Sequence, residues 1–317
     1  MKYAIISDIH GNNYAFTAVL EDAKAQGVDE YLLLGDYVTS YTQGNEVVDN
    51  IRSLPNATVI KGNGEDYFYA MRGKSKVELT HEQYKPVYWG YSSLSPENLD
   101  YVLNLPDKAA ISDSGVTINL AHSMDMFFRK PKIDLFHSND FRILMSEKPF
   151  SHEDYLQYAR ESFVSAPGVL EEVLACPPNG VYLLGHNHLQ FFMEYERRLF
   201  INPGSCGEPL DWDTQAAYTI LTVNMDGSWE VEERRVEYDV RQVVNRLDAS
   251  GFTEYAPVWS DVLKMDITTA KDCFQPFVNH VMETGRRMDE FEAPVGNGVW
   301  EVAVGSWDMG MVGERNL

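Results

Sequence analysis

Residues 1–36, MKYAIISDIHGNNYAFTAVLEDAKAQGVDEYLLLGD, decide how the rest of the chain is read. Tyr3–Ser7 is a short apolar run with the character of a buried strand, and Tyr31–Leu34 is a second. Between them Asn13–Gln26 has helical periodicity: Asn12 or Asn13 can cap its start, Phe16, Val19, Leu20 and Ala23 form one apolar face, and Gly27 can end it. The segment is therefore strand, loop, helix, strand. Each strand runs directly into polar residues, Asp8-Ile9-His10 after the first and Gly35-Asp36 after the second.

The same arrangement recurs downstream. Further strand-like runs are Ala57–Ile60, Val116–Ala121, Val181–Leu184, Leu199–Ile201 and Ala217–Val223. Asn63, His122 and His186 each lie just past one of them, as Asp8 and Asp36 do. In an α/β sheet the residues beyond the carboxyl ends of strands converge on one crevice. One isolated Asp, Asn or His at a strand end is ordinarily a turn former; five in this register point to a shared site. The glycines at 35, 62 and 185 immediately precede three of them, where the lack of Cβ allows tight turns, although each is also ordinary strand-end punctuation.

The composite pattern is Asp8-Ile9-His10, Gly35-Asp36, Gly62-Asn63-Gly64-Glu65, Ala121-His122 and Gly185-His186-Asn187-His188. It resembles, in order, the signature of the calcineurin-like metallophosphoesterase superfamily. Asn202-Pro203-Gly204-Ser205 and Ala216-Ala217-Tyr218 look like its bacterial small-phosphodiesterase branch. The resemblance covers about residues 1–240. It implies an α/β fold in which two sheets form a β-sandwich flanked by helices, an α-β-β-α arrangement, followed here by a mostly helical C-terminal extension. It further implies one metal on Asp8, His10, Asp36 and His188 and a second on Asp36, Asn63, His122 and His186, with Asp36 shared. Nitrogen and oxygen donors of this kind suit Mn, Fe or Zn ions. Two such ions about 3.5–4 Å apart can hold a hydroxide for in-line attack on phosphorus.

That resemblance sets the functional expectation: hydrolysis of a phosphodiester or a small phosphomonoester, with Asp36, Asn63 and His122 acting through metal and substrate positioning. Asn12, Asn63 and Arg129 are the side chains expected to meet substrate phosphate. For the basic run Arg129-Lys130-Pro131-Lys132 a solvated loop is the competing reading. Protein phosphatase, dinucleotide polyphosphate hydrolase and a non-catalytic binding module on the same fold are the alternatives. One position departs from the family pattern. Where many members place a proton-donating histidine after the motif asparagine, this chain has Gly64, which favours leaving groups that need little protonation. Glu65 keeps the acidic place and also suits the positive end of a helix dipole. Cys206, beside Ser205, lacks the paired base that a nucleophile needs.

Composition narrows the class. The 317 residues carry 48 acidic and 26 basic side chains, a formal charge of -22, which disfavours long nucleic acid as a partner and suits a small phosphorylated substrate. Three scattered cysteines do not make a disulfide framework. With no apolar run near the length of a membrane span and no leader-like start, a cytoplasmic location without membrane association is expected.

Residues 1–251 are read as the catalytic domain, with a helical insertion at about 125–178 in which His152–Glu161 and Gly168–Leu174 are helices. Ser95-Pro96-Glu97 starts a further helix with Leu99, Val102 and Leu103 inward. Trp229–Val240 is strand-like before the pattern turns helical at Val240–Leu247. Residues 252–317, with a helix at Thr269–Arg286 and with Trp259, Trp300 and Trp307, form an accessory extension. It is expected to cover an edge of the core or to make a homo-oligomer contact.

Overall fold

Tyr3 and Ile5 point to one side of the first strand and Ala4 and Ile6 to the other, and all four are buried. A strand covered on both faces needs a layer on each side. In the computed structural model, which describes residues 1–74, 79–129, 149, 151–165 and 168–307, those layers are a second sheet and a set of helices.

The first sheet contains β1 (Lys2–Ile6), β2 (Glu30–Leu33), β3 (Ala57–Val59), β9 (Ala216–Val223) and β10 (Trp229–Val236), in the order β10-β9-β1-β2-β3. The second contains β4 (Lys108–Asp113), β5 (Val116–Ala121), β6 (Gly180–Leu183), β7 (Gln190–Tyr195) and β8 (Arg198–Pro203), in the order β4-β5-β6-β8-β7. β1, β2 and β3 run parallel, as do β5, β6 and β8. The remaining pairings are antiparallel. Tyr3, Ile5, Leu32 and Leu34 from one sheet meet Ile118, Leu120, Val181, Leu183 and Ile201 from the other in a dry sandwich core. This is the two-sheet architecture expected.

The outer face of the first sheet is covered by α1 (Asn13–Ala25), α2 (Gly44–Ser53), α3 (Asn63–Met71) and α5 (Pro96–Leu103), with α4 (Lys85–Ser93) beside them. Asn12 caps α1 by accepting from the Ala15 N–H at 3.1 Å, and Ser95 caps α5 by accepting from Asn98 at 3.2 Å. The outer face of the second sheet is covered by α6 (His152–Ser165) and α7 (Val169–Ala175). Tyr155, Val169 and Val173 pack there on Tyr182, Phe191 and Phe200. Within the described residues, the segment read as an insertion thus supplies the layer that this sheet requires.

The C-terminal part is helical: α8 (Val240–Ala249), α9 (Phe252–Tyr255), α10 (Pro257–Thr269), α11 (Phe274–Arg287) and α12 (Asn297–Ser306). The helix expected at Thr269–Arg286 starts later, at Phe274, because Thr269 closes α10. Ala270 takes a left-handed φ of 50°, and the Asp266 carboxylate accepts from the Cys273 N–H at 2.7 Å, which turns the chain before α11 begins. Of the three tryptophans, two lie inside and Trp307 is partly buried. Trp259 and Trp300 are buried, with rings 5.5 Å apart, and Phe277 links them to Trp307. This cluster is continuous with Tyr14, Tyr41 and Trp89 of the sandwich, so the extension is seated on the core. Trp259 Nε1 donates to Glu82 O and Tyr41 Oη to Leu263 O across the junction. Among the described residues no helix is long and apolar enough to cross a membrane.

Candidate metal centre

The loops after β1 and β2 are bonded to each other by backbone. Asp8 N–H donates to Gly35 O, His10 N–H to Asp36 O and Gly11 N–H to Tyr37 O, at 3.1, 2.9 and 2.8 Å. To keep these bonds beyond the regular strands, Asp8, His10 and Asp36 adopt left-handed φ values of 53°, 52° and 56°. His186 and His188, after β6, do the same at 72° and 62°. Residues with a Cβ seldom occupy this region, at a cost of order 1–3 kcal/mol each, and such strain gathers at functional sites.

Seven expected positions come together here. Asp8, His10 and His188 place one donor atom each within 4.8 Å of one another, and Asp36, His122 and His186 form a second such group. The groups adjoin through Asp36, whose Oδ2 lies 3.4 Å from His122 Nε2 and 3.9 Å from His10 Nε2. Asn63 Oδ1 stands 3.1 Å from His122 Nε2. Asp8 also ties the two sheets, accepting from the His186 N–H at 3.0 Å.

The imidazoles are oriented from behind. Nδ1 of His122 donates to Leu34 O at 2.7 Å and Nδ1 of His188 to Glu208 O at 2.6 Å, while Nδ1 of His10 bonds Thr39 Oγ1 at 2.8 Å. In the neutral rings of His122 and His188 the Nε2 lone pair therefore faces the carboxylates. Acceptors converging on acceptors are unfavourable until a cation stands between them, so this donor set fits metal ions. Proton affinities follow from the same crowding. Burial, opposed by His122 and reinforced by Asp36, raises the Asp8 carboxyl to about 7. Burial would also raise Asp36, but His122, His10 and the Gly64 N–H outweigh it and hold this carboxyl well below the usual range. Burial disfavours a charged His122, yet Asp36 and Asp8 raise it to about 10.

Two glycines answer to close approach. A Cβ on Gly62 would stand 2.2 Å from Asp36 Oδ1, and one on Gly185 would stand 2.0 Å from Ser7 Oγ and 2.7 Å from Asp8 Oδ2. Gly64, the position that lacks the family's histidine, gives its N–H to Asp36 Oδ1 at 2.6 Å. Glu65 does more than face a helix dipole. It is fully buried and accepts from Gly62, Asp36 and Tyr37 N–H at 2.8, 2.9 and 2.8 Å, clamping the Asp36 loop to the start of α3.

Two residues expected to meet phosphate have their side chains engaged by other groups. Asn12 is fully buried, with Oδ1 capping α1 and Nδ2 donating to Gly207 O at 2.8 Å, so its amide is used in architecture. Arg129 borders a different cleft, where its backbone N–H and its guanidinium bond Glu172. The positive charge is thereby partnered away from the triads. Lys130, Pro131 and Lys132 lie outside the described residues. Cys206 is buried and burial raises its thiol pKa, which disarms it as a nucleophile. Ser205 braces the site by donating to Asp8 O at 2.7 Å and accepting from the Glu208 N–H at 2.8 Å.

Glu208 itself was not anticipated. Its Oε2 lies 3.6 Å from His10 Nε2 and accepts from Ser40 Oγ at 3.2 Å. The only sequence clue is its place three residues beyond Ser205. Two clefts open from the centre. One, about 400 Å³, borders His10, Asp36, Asn63, His186 and Glu208; the other, about 270 Å³, borders Asn63, His122, His186 and Lys61.

Two adjoining nitrogen and oxygen triads at the strand ends of a helix-flanked double sheet define a metal-binding α-β-β-α protein. The chain belongs to the calcineurin-like phosphoesterase superfamily, whose domain model matches residues 1–226. It is similar to the uncharacterized protein MJ0912 of Methanocaldococcus jannaschii, at 28% identity over 256 residues, 80% of this chain and 94% of that protein. Among solved structures, a metallophosphoesterase from Sphaerobacter thermophilus shares the fold with a TM-score of 0.58 at 23% identity, covering 85% of this chain and 99% of that one. The hypothetical protein PH1004 from Pyrococcus horikoshii OT3 gives 0.56 at 18% identity, covering 81% and 97%.

Proposed function

We propose that the protein is a metal-dependent phosphoester hydrolase acting on a phosphodiester or a small phosphomonoester. The observation that carries this reading is the pair of adjoining triads with Asp36 between them. Asp8, His10, Asp36 and His188 would hold one ion, and Asp36, Asn63, His122 and His186 the other. When bound, two Mn, Fe or Zn ions supply an acidified water and take up phosphoryl charge.

The chain's own residues then position and exclude. Leu34 O, Thr39 and Glu208 O fix the ring orientations of His122, His10 and His188. Asn63 turns Oδ1 toward His122, which leaves Nδ2 as the end that would donate to a phosphoryl oxygen. With glycine at position 64, protonation of the leaving oxygen falls to solvent or to another group. Esters of acidic alcohols, such as aryl diesters, are the substrates this arrangement suits.

The test is hydrolysis of bis(p-nitrophenyl) phosphate. Turnover is expected to vanish with a chelator, to return with Mn²⁺, and to be lost in Asp36→Asn and His122→Ala. Undiminished turnover by metal-free protein would overturn the reading.

A further inference from the structure

The larger cleft is charged only where it meets the metal triads. Away from them its walls come from two distant parts of the chain. One stretch holds Tyr67 and Tyr84, with ring centroids 6.2 Å apart and tilted by 50°. Tyr67 lies four residues after Asn63, hence on the same face of α3, and is 45% exposed.

A second stretch of the wall comes from α11. Phe277 and Val281 turn into the tryptophan cluster and are fully buried. Phe274, Val278 and Met282 recur at a spacing of four, make a second apolar stripe that is only partly buried, and border the cleft. Of the glutamines there, Gln83 uses both ends, Oε1 accepting from the Val295 N–H and Nε2 lying 3.5 Å from Met282 Sδ, and Gln275 Nε2 donates to Asn279. No lysine or arginine is among the described residues bordering the cleft, whereas Asp36 and Glu208 are. A polyphosphate would find no cation here beyond the metals. An uncharged flat group finds aromatic and aliphatic surface along both stretches.

We infer that the α11 stripe, together with Tyr67 and Tyr84, holds the uncharged, planar organic group of a phosphoester whose phosphate lies at the triads. This rests on the hydrolase reading and adds the substrate class to it. It makes the C-terminal helical part a specificity element, contributed by residues well beyond those of the metal motifs.

The experiment is calorimetric binding of methylphosphonate, 1-naphthylphosphonate and tripolyphosphate to the Mn²⁺-loaded full-length protein. All three offer phosphorus oxygens to the metals, so differences among them report the cleft. Naphthylphosphonate is expected to bind about tenfold or more tightly than methylphosphonate. That ratio is expected to fall below about threefold in Val278→Trp, which fills the cleft, and in Tyr84→Ala, which strips the other stretch of its wall. Circular dichroism melts establish that each variant folds, and the two stretches provide independent variants. A wild-type ratio near one, a ratio preserved in both variants, or tripolyphosphate binding more tightly than naphthylphosphonate would overturn the inference. If methylphosphonate binds in a Mn²⁺-dependent way without an aryl advantage, this inference alone falls; if no phosphonate binds and no ester is hydrolysed, the hydrolase reading falls with it.

Discussion

His10 and His188, 178 residues apart in the chain, bring their Nε2 atoms within 3.1 Å of each other. His188 is held in place by Glu208 O, and His10 by the Thr39 hydroxyl. Two ring nitrogens pressed together in a buried acidic site make a position whose geometry a cation completes.

Thr39→Val should therefore loosen His10 while leaving the ligand atoms themselves intact. Mn²⁺ affinity is expected to fall about 10–100-fold, as when a ligand's supporting hydrogen bond is lost. Calorimetric titration measures this, and an unchanged affinity would show that Thr39 does not orient the ring.

Glu65 offers a test of the clamp behind Asp36. Its Oε2 accepts from two N–H groups and its Oε1 from one. Glu65→Ala strands all three and should destabilise the protein by about 3 kcal/mol or more in urea. Glu65→Gln keeps the two bonds on one oxygen and loses the Tyr37 bond, so a loss of about 1–2 kcal/mol is expected. Equal effects of the two substitutions would contradict the assignment.

Stability of the metal-free protein should fall as pH rises. Asp8 and Glu65 are both raised to about 7, Asp8 chiefly by burial and Glu65 by burial with the charge of Asp36 added. His122, despite its burial, is raised to about 10 by Asp36 and Asp8. In each case the folded state holds its proton more tightly than the unfolded chain, so stability is fully present below the unfolded pKa and is lost as pH passes toward the folded value. For the two acids that window runs from about 4 to 7, and for His122 from about 6.5 to 10. Thermal melts in chelator should accordingly show Tm declining from pH 5 to pH 9. Mn²⁺ should reverse the trend, since deprotonated ligands bind metal better. A chelated protein whose Tm rises across this range would refute the argument.

Gly185→Ala would set a methyl group against Ser7 Oγ and the Asp8 carboxylate. Overpacking of this kind costs about 1–3 kcal/mol. Because Asp8 would be displaced, Mn²⁺ affinity should drop along with Tm. A variant that melts and binds metal like the parent would mean that the β6 loop yields more readily than its contacts indicate.

The strand ends were legible because the central parallel strands β1, β2 and β6 are short apolar runs, each followed within three residues by an Asp or His. Strand β4 escaped notice because it alternates exposed and half-buried residues along its whole length, and β7 because exposed Phe192 and Glu194 interrupt its buried residues. The break at Ala270 depended on a side-chain bond from Asp266, which periodicity does not register. Asn12 and Arg129 were assigned by residue type and proximity in sequence, and only their partners, Gly207 and Glu172, show them engaged. Glu208 and the α11 stripe could not be connected with Asp8 or Asn63 from sequence, since nothing local joins positions so far apart. The left-handed backbone at Asp8, His10, Asp36, His186 and His188 was equally hidden, because no glycine marks it.

Each triad takes members from both sheets: Asp8 and His10 follow β1 while His188 follows β6, and Asp36 follows β2 while His122 and His186 follow β5 and β6. A bound ion in either triad would thus act as a rivet through the sandwich. The metals would then govern how long the folded molecule survives. Stripping them would remove those ties and leave the dry core and hydrogen bonds such as that between Asp8 and His186 to join the two sheets there.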